Sequence, residues 1–233
     1  MQTRTQLKSI PPLPPAPQLG APQDSSQKLT VEAAVLGALP KSPSIFFPDD
    51  IRIPGIQQKQ IRFTLVKLSH EGVILKLAWG IYLRPTLGEA SRKSVLPSPE
   101  TIAFAVADKR RLNIIPSGEK AAKRVGLING DVEDSLDWFT NGAPRKIRLL
   151  NGKTIRFLMS KEARMFTFKD DRMRDLSNGI RHVGKLNMGV FEMDAVRVWL
   201  KGIPEDVYNE DIELCPEWVR EVIEQCRQKG GIE

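Results

Sequence analysis

The segment that most constrains the fold is QQKQIRFTLVKLSHEGVILKLAWGIYLRP, residues 57–85. At about 100° per residue, Ile61, Thr64, Leu65 and Leu68 fall on one stripe, so residues 57–69 are expected to form a short amphipathic helix. Lys59, Arg62, Phe63, Val66, Lys67 and His70 fall on the opposite side. Gly72 supplies the left-handed residue that commonly stops a helix. Val73 to Leu77 and Ile81 to Arg84 are aliphatic or β-branched runs joined at Ala78-Trp79-Gly80, which is the pattern of a β-hairpin. A helix with a basic outer face leads directly into a basic hairpin.

The flanking segments extend this pattern. Residues 1–27 hold six prolines between Pro11 and Pro22 and few large apolar side chains, so they are expected to be a disordered tail. Thr30 is an expected N-cap for a helix to Leu39, with Val31, Val35, Leu36 and Leu39 on one face and Pro40 beyond it. Phe46 and Phe47 are apolar anchors, and Pro48, Asp49 and Asp50 favour a short helix start. Helix, short helix, turn, helix, hairpin over residues 28–86 is the order of a winged helix-turn-helix.

Beyond the connector at 85–97 the pattern changes. Ser98 with Pro99 and Glu100 opens a helix carrying Ile102, Ala103, Val106 and Ala107 on one face. Asn113 to Ile115 is an expected short strand, and Ser117 caps a helix, Gly118 to Val125, closed by Gly126. Lys146 to Leu150 and Thr154 to Leu158 flank Asn151-Gly152, the strongest hairpin signal in the chain. Residues 164–174 are charged and aromatic in turn. Met188 to Lys201 is an expected helix with Val190, Met193, Val196 and Leu200 as its stripe, and Pro216 opens another from Glu217 to Gln228. The fold class is therefore α+β: an N-terminal winged helix-turn-helix, a small mixed α+β domain over 98–200, and a helical acidic C-terminal tail over 201–233.

Charge is unevenly placed along the chain. Residues 1–199 hold 31 Lys and Arg against 19 Asp and Glu, whereas residues 200–233 hold 4 against 9. A body at +12 suits a polyanionic partner, and nucleic acid is the commonest, because neutralising each phosphate releases counterions. The acidic end suggests a segment that folds over the basic face and competes with DNA. Cys215 and Cys226 have no partner histidine nearby, so neither a metal site nor a disulfide framework is expected. The absence of a long apolar run and of a signal-like start gives an expectation of a cytoplasmic protein.

One combination of motifs carries a family resemblance. PSIFFPDDI, VKLSHEGVI, LAWGIYLRP and PSPETIAFAVADKRRLNIIPSGEKAAKRVGL, between about Ile45 and Phe168, resemble the bacterial DUF6088 family, which is related to the AbiEi-type antitoxins of type IV toxin-antitoxin systems. The resemblance implies a winged-helix domain that binds the promoter of its own operon. It also implies a second domain that opposes a co-encoded, nucleotidyltransferase-like toxin without forming a stable complex. This chain departs from the family's pattern at Phe63, Val66 and Trp79, where small, polar or basic residues are usual. Those three face either DNA or protein.

No constellation nominates an enzyme or a cofactor. Gly152-Lys153-Thr154 lacks the earlier glycine of a phosphate-binding loop and is better explained as a turn. His70 and His182 stand far apart, Ser117 lacks a His and acid arrangement, and the acidic runs at 131–137 and 170–171 are expected to be solvated rather than metal-binding. The DNA-binding candidates are Gln57, Gln58, Lys59, Arg62, Phe63 and Lys67 on the helix, with Lys76, Trp79 and Arg84 on the hairpin. In that reading the helix enters the major groove and the hairpin holds phosphates, with a homodimer on paired half-sites. The alternatives are a winged-helix scaffold that grips protein and, further off, an enzyme acting on nucleic acid. A second basic group, Lys109 to Arg111 with Lys120, Lys123 and Arg124, extends either surface.

Overall fold

A computed structural model describes residues 25–86 and 96–229. The expected tail up to residue 24, most of the connector and the last four residues lie outside the described residues. The first unit is a helix, α1 (Ser25–Gly37), strand β1 (Ser44–Phe46), a 3-10 turn (Pro48–Asp50), helix α2 (Gln58–His70) and the hairpin β2 (Leu75–Ala78) and β3 (Ile81–Arg84). The strands form an antiparallel sheet in the order β1-β3-β2, with Ile45 opposite Leu83 and Leu75 opposite Leu83 on the other side.

The inward stripe of α2 is the one expected from its period. Ile61, Leu65 and Leu68 are almost fully buried together with Thr64. They pack with Val35, Phe46, Ile51, Ile74 and Tyr82 in one cluster. Burial of each such aliphatic side chain stabilises the fold by about 1.5–3 kcal/mol. Gly72 has φ of +75°, and the Val73 N–H donates to the Leu68 carbonyl at 3.0 Å, so the helix stops where a left-handed residue allows it to. In contrast α1 begins at Ser25, ahead of the expected cap at Thr30, because Gln27, Lys28 and Leu29 are all acceptable helix formers.

A second sheet carries α3 (Pro99–Arg110) on its face and has the order β4-β5-β7-β6, with β4 (Ile114–Pro116), β5 (Asp137–Thr140), β6 (Arg145–Arg148) and β7 (Thr154–Met159). β5 and β7 are parallel and the other pairs antiparallel. The Asn151-Gly152 turn forms as expected. Gly152 has φ of +83°, the Lys153 N–H donates to Asn151 Oδ1 at 3.0 Å, and Ile147 faces Ile155.

The two sheets meet. Ala78 bridges to Leu149, and the Leu150 N–H donates to the Leu77 carbonyl at 3.0 Å. Leu77, Ala78, Ile81 and Leu83 share a buried cluster with Ile102, Val106, Trp138, Ile147, Ile155 and Phe157. The hairpin therefore does not project alone into solvent. It is a shared wall, with Tyr82 turned to the α2 core and its neighbours to the second sheet.

The third layer is helical. α4 (Gly118–Val125) packs closely on α5 (Asp171–Val183), and both share a core with α6 (Val190–Leu200), α7 (Glu205–Asp211) and α8 (Glu217–Lys229). The boundary expected at residue 200 is absent. Tyr208, Ile212, Val219, Ile223 and Cys226 are buried against the helices before them, so residues 201–229 belong to this core and are not a tail. The stripe expected for α6 is corrected at its first position: Val196 is buried, but Val190 is exposed.

Candidate nucleic-acid interface

The exposed side of α2 does not face open solvent on its own. It forms one wall of a groove of about 1200 Å³, whose other walls are the β2–β3 turn, the C-terminal end of α3 and strand β6. Chain geometry explains the convergence. The bridge at Ala78 and Leu149 brings β6 alongside the hairpin; alternation along β6 turns Ile147 into the core and Lys146 and Arg148 to the opposite face, while Arg145 is exposed at the start of the strand.

Nine basic side chains line this groove against two carboxylates, Glu32 and Asp49. α2 contributes Lys59, Arg62 and Lys67, the hairpin Lys76, α3 Lys109 and Arg110, and β6 Arg145, Lys146 and Arg148. That excess matches the formal +7 of the whole chain. Four of the nine have partners. Arg62 pairs with Asp49 at 2.9 Å, Lys67 with Glu32 at 2.5 Å and with Glu71 at 3.6 Å, and Lys109 with Asp50, while Lys76 lies over the Trp79 ring at 5.0 Å. Lys59, Arg110, Arg145, Lys146 and Arg148 make no ion pair among the described residues. Such a concentration of like charge on walls of low dielectric raises the local concentration of polyanions.

The pairs within the groove shift the groups that make them. The hydrogen bond from Arg62, aided by its charge, holds the Asp49 carboxyl below the usual carboxylate range. The hydrogen bond to Glu32 raises the Lys67 ammonium, so it stays charged throughout the neutral range.

Of the expected contact residues, Lys59, Arg62, Phe63, Lys67, Lys76 and Trp79 are brought together in this groove. Three are placed elsewhere. The Gln57 N–H donates to Gln60 Oε1 at 3.1 Å at the start of α2, and Gln58 Nε2 donates to the Pro48 carbonyl at 2.6 Å. Arg84 donates to the carbonyls of Leu39 and Pro40 at 2.9 and 2.7 Å. It thereby satisfies carbonyls just beyond α1, and it is not part of the groove.

The second basic group divides. Lys109 and Arg110 join the groove, whereas Arg111 ends α3 in a left-handed conformation with φ of 54°. Lys120 is buried over Trp138, 4.4 Å from the ring centroid, and 3.5 Å from Glu100; burial pushes its ammonium pKa down. Arg124 bridges Glu100 at 2.8 Å and Asp175 at 3.1 Å. These cations tie α3, α4 and α5 together. Arg145 is the groove cation that the sequence did not single out, because it stands one residue ahead of the expected strand start at Lys146 and on the same side as the buried Ile147.

The remaining chemical candidates have structural partners. Ser117 is buried and accepts from the Lys120 N–H at 3.3 Å, as an N-cap does. Asp131 and Asp170 accept from the N–H groups of Glu133 and Arg172. Asp137 pairs with Arg156 at 2.5 Å. Both cysteines are buried thiols, Cys226 within 3.6 Å of the Met193 carbonyl, and burial pushes the Cys215 thiol up to about 11. Among the described residues no cluster of His, Cys, Asp or Glu is placed to hold a metal, and no helix is long and apolar enough to cross a membrane.

A family model described as a family of unknown function, DUF6088, matches residues 34–205, about three quarters of the chain. The chain belongs to the DUF6088 family. No curated protein and no solved structure matches it. In this DUF6088 protein the matched span contains all nine groove cations as well as Phe63, Val66 and Trp79.

Proposed function

We propose that this DUF6088 protein is a DNA-binding transcriptional regulator whose N-terminal unit is a winged helix-turn-helix, with α2 as recognition helix and the β2–β3 hairpin as wing. The element order and the β1-β3-β2 sheet support the fold reading. The observation that carries the function is the groove, where five cations without an ion pair among the described residues lie on or beside the exposed side of a short helix. Lys59, Arg110 and the three β6 cations would neutralise phosphates, and such contacts fix register and supply salt-sensitive affinity.

By its resemblance to AbiEi-type antitoxins, the protein would repress its own operon and oppose a co-encoded, nucleotidyltransferase-like toxin without sequestering it. A homodimer on paired half-sites would raise affinity and specificity together. The test is binding of the purified protein to its own upstream region and to a shuffled fragment at two salt concentrations. A preference of about a thousandfold or more for the upstream fragment is the expected result. Equal, salt-sensitive binding to both would reduce the reading to a general DNA-binding surface.

The exposed Phe63, Val66 and Trp79 favour a second reading, a winged-helix scaffold that grips protein. In that case neutralising Arg145 and Arg148 would leave partner binding intact, whereas Phe63→Ala would abolish it.

A further inference from the structure

Phe63 and Trp79 are 77% and 91% exposed, yet both line a groove surrounded by cations. Exposed aromatic rings of this size cost solvation free energy unless something covers them. The charge of the surrounding walls selects an anionic occupant. Phe63 lies one turn from Lys59 and one turn from Lys67 on α2, so phosphates held by those lysines would run past the ring on both sides. Trp79 stands at the tip of the β2–β3 turn, next to Gly80 at φ of +70°, and Lys76 lies over its ring at 5.0 Å.

A continuous duplex keeps its base faces inside its stack and offers these rings nothing to stack on. A strand with unpaired bases offers a face at every nucleotide, and aromatic platforms between basic walls are how such strands are held. We propose that Phe63 and Trp79 stack on unpaired bases, so that the groove prefers DNA containing a single-stranded stretch over a fully paired duplex. The inference rests on the reading of the groove as a DNA site and adds to the duplex operator a second mode, in which the two rings engage bases left unpaired within or beside the duplex. Lys59, Arg145, Lys146 and Arg148 hold the sugar-phosphate backbone while the two rings hold bases.

The test uses the full chain and three labelled probes: an oligothymidylate, a mixed-sequence duplex of equal length, and that duplex with a central unpaired bubble. The expected result is binding of the single strand and the bubble about tenfold or more tighter than the duplex, with Trp79→Ala and Phe63→Ala each lowering it by about tenfold. Trp79→Phe should retain most of the affinity, since a smaller ring still stacks. Both side chains are exposed, so thermal unfolding should be unchanged and a loss of binding is not a loss of fold.

Equal binding of all three probes, unmoved by Trp79→Ala but lost on Arg145→Glu with Arg148→Glu, overturns the stacking inference and leaves the DNA site intact. Failure of the wild-type protein to bind any probe at low salt overturns both.

Discussion

The groove and the helical unit use the same residue types in opposite ways. Around α5 to α8 most of the cations among the described residues are answered: Arg181 pairs with Glu162 at 2.7 Å, Lys185 with Glu221 at 2.8 Å, Arg220 with Glu213 at 3.0 Å, and Arg197 with Asp194 and Arg227 with Glu205 as well. In the groove five cations stand without a carboxylate among the described residues. Exposed pairs of the first kind contribute little to stability, about 0–1 kcal/mol each, and mainly keep the surface electrically quiet. The unanswered cations repel one another, an arrangement that destabilises the free protein and is relieved when an anion arrives. The contrast separates an end whose cations are mostly paired from one where, among the described residues, five are not.

The contrast breaks most severely if the cations of β6 are removed. Replacing Arg145, Lys146 and Arg148 together by alanine should weaken DNA binding on the order of a hundredfold at low salt. The same replacement of Arg181, Lys185 and Arg220 should leave it within about twofold, and electrophoretic mobility or fluorescence anisotropy measures both. Unfolding separates the regions in the other direction. Arg124→Ala leaves Asp175, whose carboxyl is already raised by burial, facing Arg174 alone. Loss of that bridge should cost about 2–3 kcal/mol in denaturant unfolding with DNA affinity unchanged.

Close packing of α4 on α5 offers a third check. A Cβ at Gly179 would lie 3.1 Å from the backbone of Ala122 and from Leu127 Cδ1. Gly179→Ala should therefore destabilise the protein by about 1–2 kcal/mol, although alanine is the better helix former. The smallest effect concerns the groove's own anion. Asp49→Asn frees Arg62 and should raise DNA affinity by a few fold. Because Asp49 titrates below its usual range, it is ionised at pH 5 as at pH 8, so lowering the pH to 5 should not mimic the substitution.

What the sequence disclosed and what it hid follow from range. The stripe of α2, the stop at Gly72 and the Asn151-Gly152 turn are local signals, and each is present in the structure. α5 escaped because Ser177, Asn178 and Gly179 are poor helix formers. All three are buried against α4, where small residues permit close approach and tertiary packing overrides propensity. Met173, Leu176 and Ile180, all fully buried, did carry its period. Half of the groove was visible as the outer side of α2. The other half depends on Ala78 meeting Leu149, about seventy residues away in sequence, a contact that no local pattern encodes. Arg84 misled for the same reason, since the carbonyls that hold it lie more than forty residues earlier.

The most direct test of the central claim, that the groove cations meet phosphates, is the salt dependence of DNA binding by wild-type protein and by the β6 triple-alanine variant. If Arg145, Lys146 and Arg148 each neutralise one phosphate, the slope of log affinity against log salt should become shallower by roughly two to three units in the variant. An unchanged slope, with affinity equal to wild type, would contradict the claim and place any DNA elsewhere on the molecule.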